Sequence, residues 1–143
     1  MQRHTRAATL ATVFVSTGLV FASVADTPQK RAQLSPVERG GLTYRTHCAV
    51  CHGKGAQGDG PLADHLRFAP PDLTRIAKRN KGKFDPQIVQ RIIDGRFPIR
   101  GHGGPEMPVW GDAFLEPREG YSRDGVRAKI VELTAYLETL QQK

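Results

Sequence analysis

The sequence predicts an all-α domain of four to five short helices joined through two large loops. Three observations carry this. Two segments open with helix-starting chemistry: Ser35-Pro36 followed by Glu38, and Asp85-Pro86. The C-terminal stretch holds a single apolar stripe, Val126, Ile130, Leu133, Leu137 and Leu140, spaced 4, 3, 4 and 3 residues apart. No alternating strand pattern and no hairpin signal occurs anywhere in the chain. At 143 residues there is room for one core. Composition excludes a collagen, a coiled coil and a disordered tail. Only one long uncharged stretch exists, which excludes a polytopic membrane protein. Two cysteines exclude a disulfide-dense scaffold.

That uncharged stretch is residues 7–25, preceded by Arg3, His4 and Arg6 and ending in Ser23-Val24-Ala25. A basic head, an apolar middle and small residues before a cut are the marks of a secretory signal peptide. The expected organisation is a signal peptide over 1–25, a polar lead-in over 26–33 and the folded domain over 34–143. The alternative is an uncleaved N-terminal anchor helix. Both readings export the domain, and cleavage leaves it with no stable membrane span.

Within the domain, Ser35 caps a helix, Pro36 suits its first position, and Glu38 completes a capping box. That helix is expected from Pro36 to about His47. Residues 53–71 contain Gly53, Gly55, Gly58, Gly60, Pro61, Pro70 and Pro71, and read as a looped strap. Asp72 then caps a short helix through Leu73, Ile76 and Ala77. Asp85-Pro86 starts the next helix, whose Ile88, Val89, Ile92 and Ile93 share one face, with Gly95 as its C-terminal cap. Residues 96–121 have no useful period and read as the second loop. The last helix is expected from about Gly125 to Gln141.

The chemistry sits in Cys48-Ala49-Val50-Cys51-His52. C-x-x-C-H is the attachment pattern of c-type haem. Two thiols three residues apart can each add to one vinyl group of the same porphyrin, and the adjacent histidine then reaches the iron. The rival readings are weaker. A thioredoxin-like C-x-x-C needs a βαβ context that is missing. A zinc site needs four ligands, and His47, His52, His65 and His102 form no recognised spacing. A structural disulfide leaves His52 unexplained.

Over essentially its whole exported length, the chain resembles the small monohaem class I c-type cytochromes. Gly40 lies eight residues and Tyr44 four residues before the first haem cysteine, as in that family, and Leu133-Thr134-Ala135-Tyr136-Leu137 matches the family's last helix. The resemblance implies a cytochrome c-like fold wrapped around one covalently bound haem c. Gly40 permits a close helix crossing and Tyr136 fills the adjoining space. The family's axial histidine gives its second ring N–H to a downstream proline carbonyl. Gly60-Pro61 is the nearest match for that proline, with Pro70-Pro71 as the competitor.

The sixth iron ligand follows by elimination. With Met1 in the signal peptide, Met107 is the only remaining methionine, 55 residues after His52. It lies among Gly and Pro outside any apolar stripe, which is a poor place for a core filler. Met107-Pro108-Val109-Trp110-Gly111 also resembles the methionine loop of bacterial cytochromes c. His102 is the competitor. Trp110 either packs at the haem, bonding a propionate through its indole N–H, or is an ordinary buried aromatic.

The expected site is therefore Cys48, Cys51, His52 and Met107, with His52 and Met107 as the metal ligands. With both axial positions taken, the iron has no open coordination site. The expected function is a periplasmic one-electron carrier, not an enzyme, whose haem c cycles between Fe(III) and Fe(II). Thioether ligation raises the potential relative to two histidines. The alternatives are a dedicated cytochrome subunit of a periplasmic dehydrogenase or oxidase, and a haem enzyme or gas sensor in which Met107 is displaced. Expected partners are redox proteins, those with acidic docking faces included, because Arg75, Lys78, Arg79, Lys81 and Lys83 form a cluster without an acid. A plain solvated face is the equal alternative. No aromatic residue interleaves these charges, so nucleic acid is not an expected partner.

Overall fold

A computed structural model describes residues 33–96, 107–115 and 120–142. The segment expected to be a signal peptide, the expected lead-in through residue 32, and His102 lie outside the described residues. Six α-helices occur among the described residues: α1 (Pro36–His47), α2 (Ala49–His52), α3 (Ile76–Arg79), α4 (Pro86–Asp94), α5 (Trp110–Ala113) and α6 (Arg123–Thr139). Two 3₁₀ turns, Ala63–His65 and Leu73–Arg75, complete the described order, and no strand appears in it. The all-α expectation holds. The one-turn helix α5 lies where the sequence indicates only loop.

Local chemistry starts the longer helices as expected. The Ser35 hydroxyl accepts from the Glu38 N–H at 3.3 Å, while the Ser35 N–H donates to the Glu38 carboxylate at 2.7 Å. This is the full capping box. The Asp85 carboxylate accepts from the N–H groups of Gln87 and Ile88 at 3.0 and 3.1 Å. Gly95 ends α4 at φ +72°, the left-handed conformation a glycine cap supplies. Ser122 caps α6, which begins two residues earlier than expected.

The frame is α1 crossing α6, with α4 also packed against α6. The crossing is possible because of Gly40. A Cβ there would sit 2.5 Å from the Glu132 carbonyl carbon and 3.0 Å from the Leu133 nitrogen. Beside it, Arg39 pairs with Glu132 at 2.6 Å, and the rings of Tyr44 and Tyr136 meet at 5.4 Å. The expected stripe of α6 is the core: Val126, Ile130, Leu133 and Leu137 are all buried. The chain end is tied in as well. Gln141 donates to the carbonyls of Leu73 and Leu137 and accepts from the Ala77 N–H. None of the described helices is long and apolar enough to cross a membrane.

Candidate functional site

The C-x-x-C-H motif sits where α1 ends. Cys48 caps α1, its N–H donating to the Tyr44 carbonyl, and the chain turns at once into α2. His52 N–H returns to the Cys48 carbonyl at 2.8 Å, and Gly53 closes the turn at φ +80°. One helical turn therefore carries both thiols and the imidazole. Cys48 and Cys51 are not joined to each other, and both are partly exposed. Burial, with the nearby Cys51 second, pushes the Cys48 thiol up to about 12. His52 is buried, and desolvation holds its ring below the ordinary histidine value against the bond to Pro71.

That bond settles which proline serves the histidine. His52 Nδ1 lies 3.3 Å from the Pro71 carbonyl oxygen. With its proton on Nδ1 the ring donates there and leaves Nε2 available to a metal, the kind of hydrogen bond that orients a metal-binding imidazole. Gly60-Pro61, the nearer match in sequence, does a different job. Its Gly60 N–H donates to the Cys51 carbonyl and Leu62 N–H to the Val50 carbonyl. A Cβ on Gly60 would meet Val50 O at 2.5 Å and Cys51 C at 2.6 Å, so this glycine lets the strap lie flat on the motif's backbone. Pro71 reaches His52 because the strap folds back: Leu73 N–H bonds Ala56 O at 2.7 Å and Gly58 N–H bonds His52 O at 2.9 Å.

Behind the motif lies a cavity of about 380 Å³. The four aliphatics predicted to share one face of α4, Ile88, Val89, Ile92 and Ile93, all line it, opposed by Tyr44 of α1 and Leu133 and Leu137 of α6. Cys48, His52, Pro71, Met107 and Trp110 line the same space. An apolar chamber with a few convergent polar groups is what a cofactor site requires. The residues present fit a covalently held haem: the Cys48 thiol, an oriented imidazole and a thioether line one apolar chamber, and the Cys51 thiol lies on the same helical turn. No group of three or more His, Cys, Asp or Glu that could hold a bare metal ion occurs among the described residues.

Met107 is brought in by the segment leading to α5. That segment is held on two sides. On one, the Asp94–Arg96 pair, bonded through both carboxylate oxygens at 2.7 and 2.6 Å, lies against Gly111, where a Cβ would meet Arg96 Nε at 2.5 Å. On the other, Trp110 and Phe114 stack edge-on against His47 at 5.4 and 5.3 Å. Phe114 in turn lies under the buried Lys129 ammonium at 4.8 Å, which also sits 4.2 Å over the Tyr121 ring and bonds its hydroxyl. Sequence reasoning missed this cluster, although Lys129 falls three residues after Val126 and four before Leu133, within the buried stripe. It also missed that Arg79, Asn80 and Asp85 line the cavity; Arg79 reads as a member of a surface run.

These features define a c-type cytochrome: an all-helical fold, C-x-x-C-H at a helix end, and an oriented histidine over an apolar chamber. Residues 35–120, more than half the chain, match the family described as cytochrome c oxidase, cbb3-type, subunit III, and the protein belongs to that family. No curated protein and no solved structure matches the chain significantly. Membership carries covalent haem c, with Cys48, Cys51 and His52 as its attachment motif, and an electron-carrying role.

Proposed function

We propose that the protein is an exported one-electron carrier working in the periplasm, with His52 and Met107 as the two axial ligands of its haem. The observation that carries the reading is that both side chains line one cavity although 55 residues separate them. The haem, when bound, supplies reversible one-electron exchange at its iron. The chain's own residues do the rest. Pro71 fixes the imidazole, the α4 face excludes water, and the paired anchors on α5 hold the thioether in place. With both axial positions filled, nothing is left to bind substrate or gas, which favours a carrier over a catalyst. The motif supports export, since covalent haem attachment by C-x-x-C-H takes place outside the bacterial cytoplasm.

The basic run supports a docking role toward acidic redox partners. Arg75, Lys78, Lys81 and Lys83 are exposed next to the cavity-lining Arg79. A second reading, a dedicated subunit of a respiratory oxidase, is favoured by one observation, the oxidase-subunit description of the matching family.

The deciding experiment uses protein matured with haem in a periplasm. Reduced protein is titrated with carbon monoxide and, separately, isolated gently from membranes. A low-spin spectrum indifferent to carbon monoxide, on protein recovered alone, is the expected result. Ready carbon monoxide binding would overturn the carrier reading in favour of an open distal site. Stoichiometric co-purification with an oxidase would replace the diffusible carrier with the subunit.

A further inference from the structure

The cavity is not uniformly apolar. Among the described residues its charged and amide side chains, His52 apart, are Arg79, Asn80 and Asp85, and all three come from one short stretch between the last residue of α3 and the cap of α4. A haem carries two carboxylates, and burying a carboxylate without a partner is costly. One end of the chamber must therefore meet them with donors. The groups in this stretch are not equivalent. Asp85 Oδ1 is engaged by the N–H groups of Gln87 and Ile88, and a carboxylate would in any case repel a propionate. Arg79 uses Nη1 on the Asp72 carbonyl at 2.7 Å, which braces the guanidinium and leaves its other N–H groups available. Asn80 is braced likewise, one amide N–H on the Lys83 carbonyl at 2.9 Å. Among the described residues, Arg79 is the one lysine or arginine that lines the cavity.

We propose that Arg79, assisted by Asn80, is the propionate-binding end of the haem chamber and tunes the haem through those carboxylates. This rests on the covalent haem and not on Met107 as its ligand. Arg79 is exposed like its neighbours Arg75, Lys78, Lys81 and Lys83, but of these five it alone lines the cavity. The acids facing Arg79 are Asp72, whose carboxylate is turned to Thr74 and whose carbonyl accepts from Arg79, and Asp85. Neither replaces a propionate as partner for the remaining donors. A guanidinium is suited to this role because its planar fork pairs with both oxygens of a carboxylate.

The test compares holoproteins with Arg79→Gln, Arg79→Lys, Asn80→Asp, Lys78→Gln and Trp110→Phe. It reads the ferrous-to-ferric ratio at a fixed ambient potential and the propionate bending band in resonance Raman spectra. Removing a cation beside the haem favours the ferric state. Arg79→Gln should lower the ratio about threefold, or about 28 mV at 59 mV per tenfold for one electron, and shift the propionate band. Arg79→Lys should recover most of the ratio. Asn80→Asp, which keeps Arg79 but adds a carboxylate at the same end, should also lower the ratio, so the proposal stays testable if Arg79→Gln fails to mature. Lys78→Gln removes the same charge one residue away and should move neither readout. Equal effects of Lys78→Gln and Arg79→Gln, or a propionate band shifted by Trp110→Phe and not by Arg79→Gln, would overturn the assignment. Absence of covalent haem in the wild-type protein would instead sink the haem reading itself.

Discussion

Replacing Gly40 with alanine tests the central packing of the fold. The added methyl would stand 2.5 Å from the Glu132 carbonyl carbon and 3.0 Å from the Leu133 nitrogen, against an ordinary contact of 3.4–4 Å. Both obstacles are backbone, so no side chain can rotate away, and α1 and α6 must separate by about 1 Å. Overpacking of this kind costs about 1–3 kcal/mol, and a rigid backbone obstacle belongs at the upper end. Alanine returns about 0.5–1 kcal/mol through its better helix propensity. The net is a loss of about 2 kcal/mol, or roughly 10 °C in Tm for a domain of this size. Gly41→Ala is the internal control. Its methyl would meet the Tyr136 ring at 3.2 Å, and a ring can shift by a few tenths of an ångström. That variant should stay within about 0.5 kcal/mol of wild type, because the propensity gain offsets the crowding. Urea denaturation of the holoproteins, followed by far-UV circular dichroism and by the haem Soret band, measures both. Equal stabilities for the two variants, or a Gly40→Ala protein as stable as wild type, would refute the claim that close backbone approach at Gly40 sets the crossing.

Met107→Ala should open the distal side, lower the potential and admit carbon monoxide; a low-spin, bis-histidine-like spectrum that disappears when His102 is also changed would show His102 swinging in, and an unchanged spectrum and potential would remove Met107 as ligand. The Glu38, Asp72 and Asp94 carboxyls are all held below their ordinary values, by hydrogen bonds from Ser35, Thr74 and Arg96 respectively. Their folded pKa values lie below the unfolded ones, so the stability they contribute is present above about pH 4 and is lost as pH falls through the folded values. Melting curves should show Asp72→Asn below wild type at pH 7 and converging on it toward pH 2; a constant gap across that range would contradict the linkage. Lys78→Glu with Lys83→Glu should slow electron exchange with an acidic partner and flatten its salt dependence in stopped-flow measurements, since exposed charges act over only about 8 Å at physiological salt. Arg79 is left out of that pair because it lines the cavity, and equal rates at low salt would make the run a solvated face.

What was legible in the sequence is what short-range chemistry determines. The capping box at Ser35 and Glu38, the aspartate cap and glycine stop of α4, and the stripe of α6 each involve groups a few residues apart, and each occurs as expected. The attachment motif is legible for the same reason, since its thiols and imidazole span a single turn. The illegible parts depend on how the chain returns on itself. Whether Pro61 or Pro71 serves His52 depends on Ala56 and Gly58 folding the strap back, and the local pattern around each proline is about equally suggestive. Helix α5 is a single turn without a side-chain cap, held by His47 and by the Asp94–Arg96 pair rather than by its own sequence. Arg79 reads as one cation in a run because nothing nearby shows that it alone of the five borders the chamber.

The same reasoning explains why attachment motif and fold are hard to separate in this protein. Helix α4 is nine residues long, too short to persist in water on propensity alone. Its apolar face is its means of stabilisation, and that face is the cavity wall. Val89, Ile93, Leu133 and Leu137 belong at once to the buried core and to the chamber lining. On the same helix face Ile88 is still 40% exposed, so part of the apolar surface of α4 is left uncovered by contacts within the protein. A flat macrocycle in the chamber would cover the remainder and convert exposed hydrocarbon into buried contact. The thioethers at Cys48 and Cys51 then act on stability as well as chemistry, because they tether that covering group to the end of α1. The glycine-permitted crossing of α1 and α6 gives the chamber a rigid back wall. A bound haem would close the front of the chamber, and α4, whose apolar face lines it, is the helix it would stabilise most.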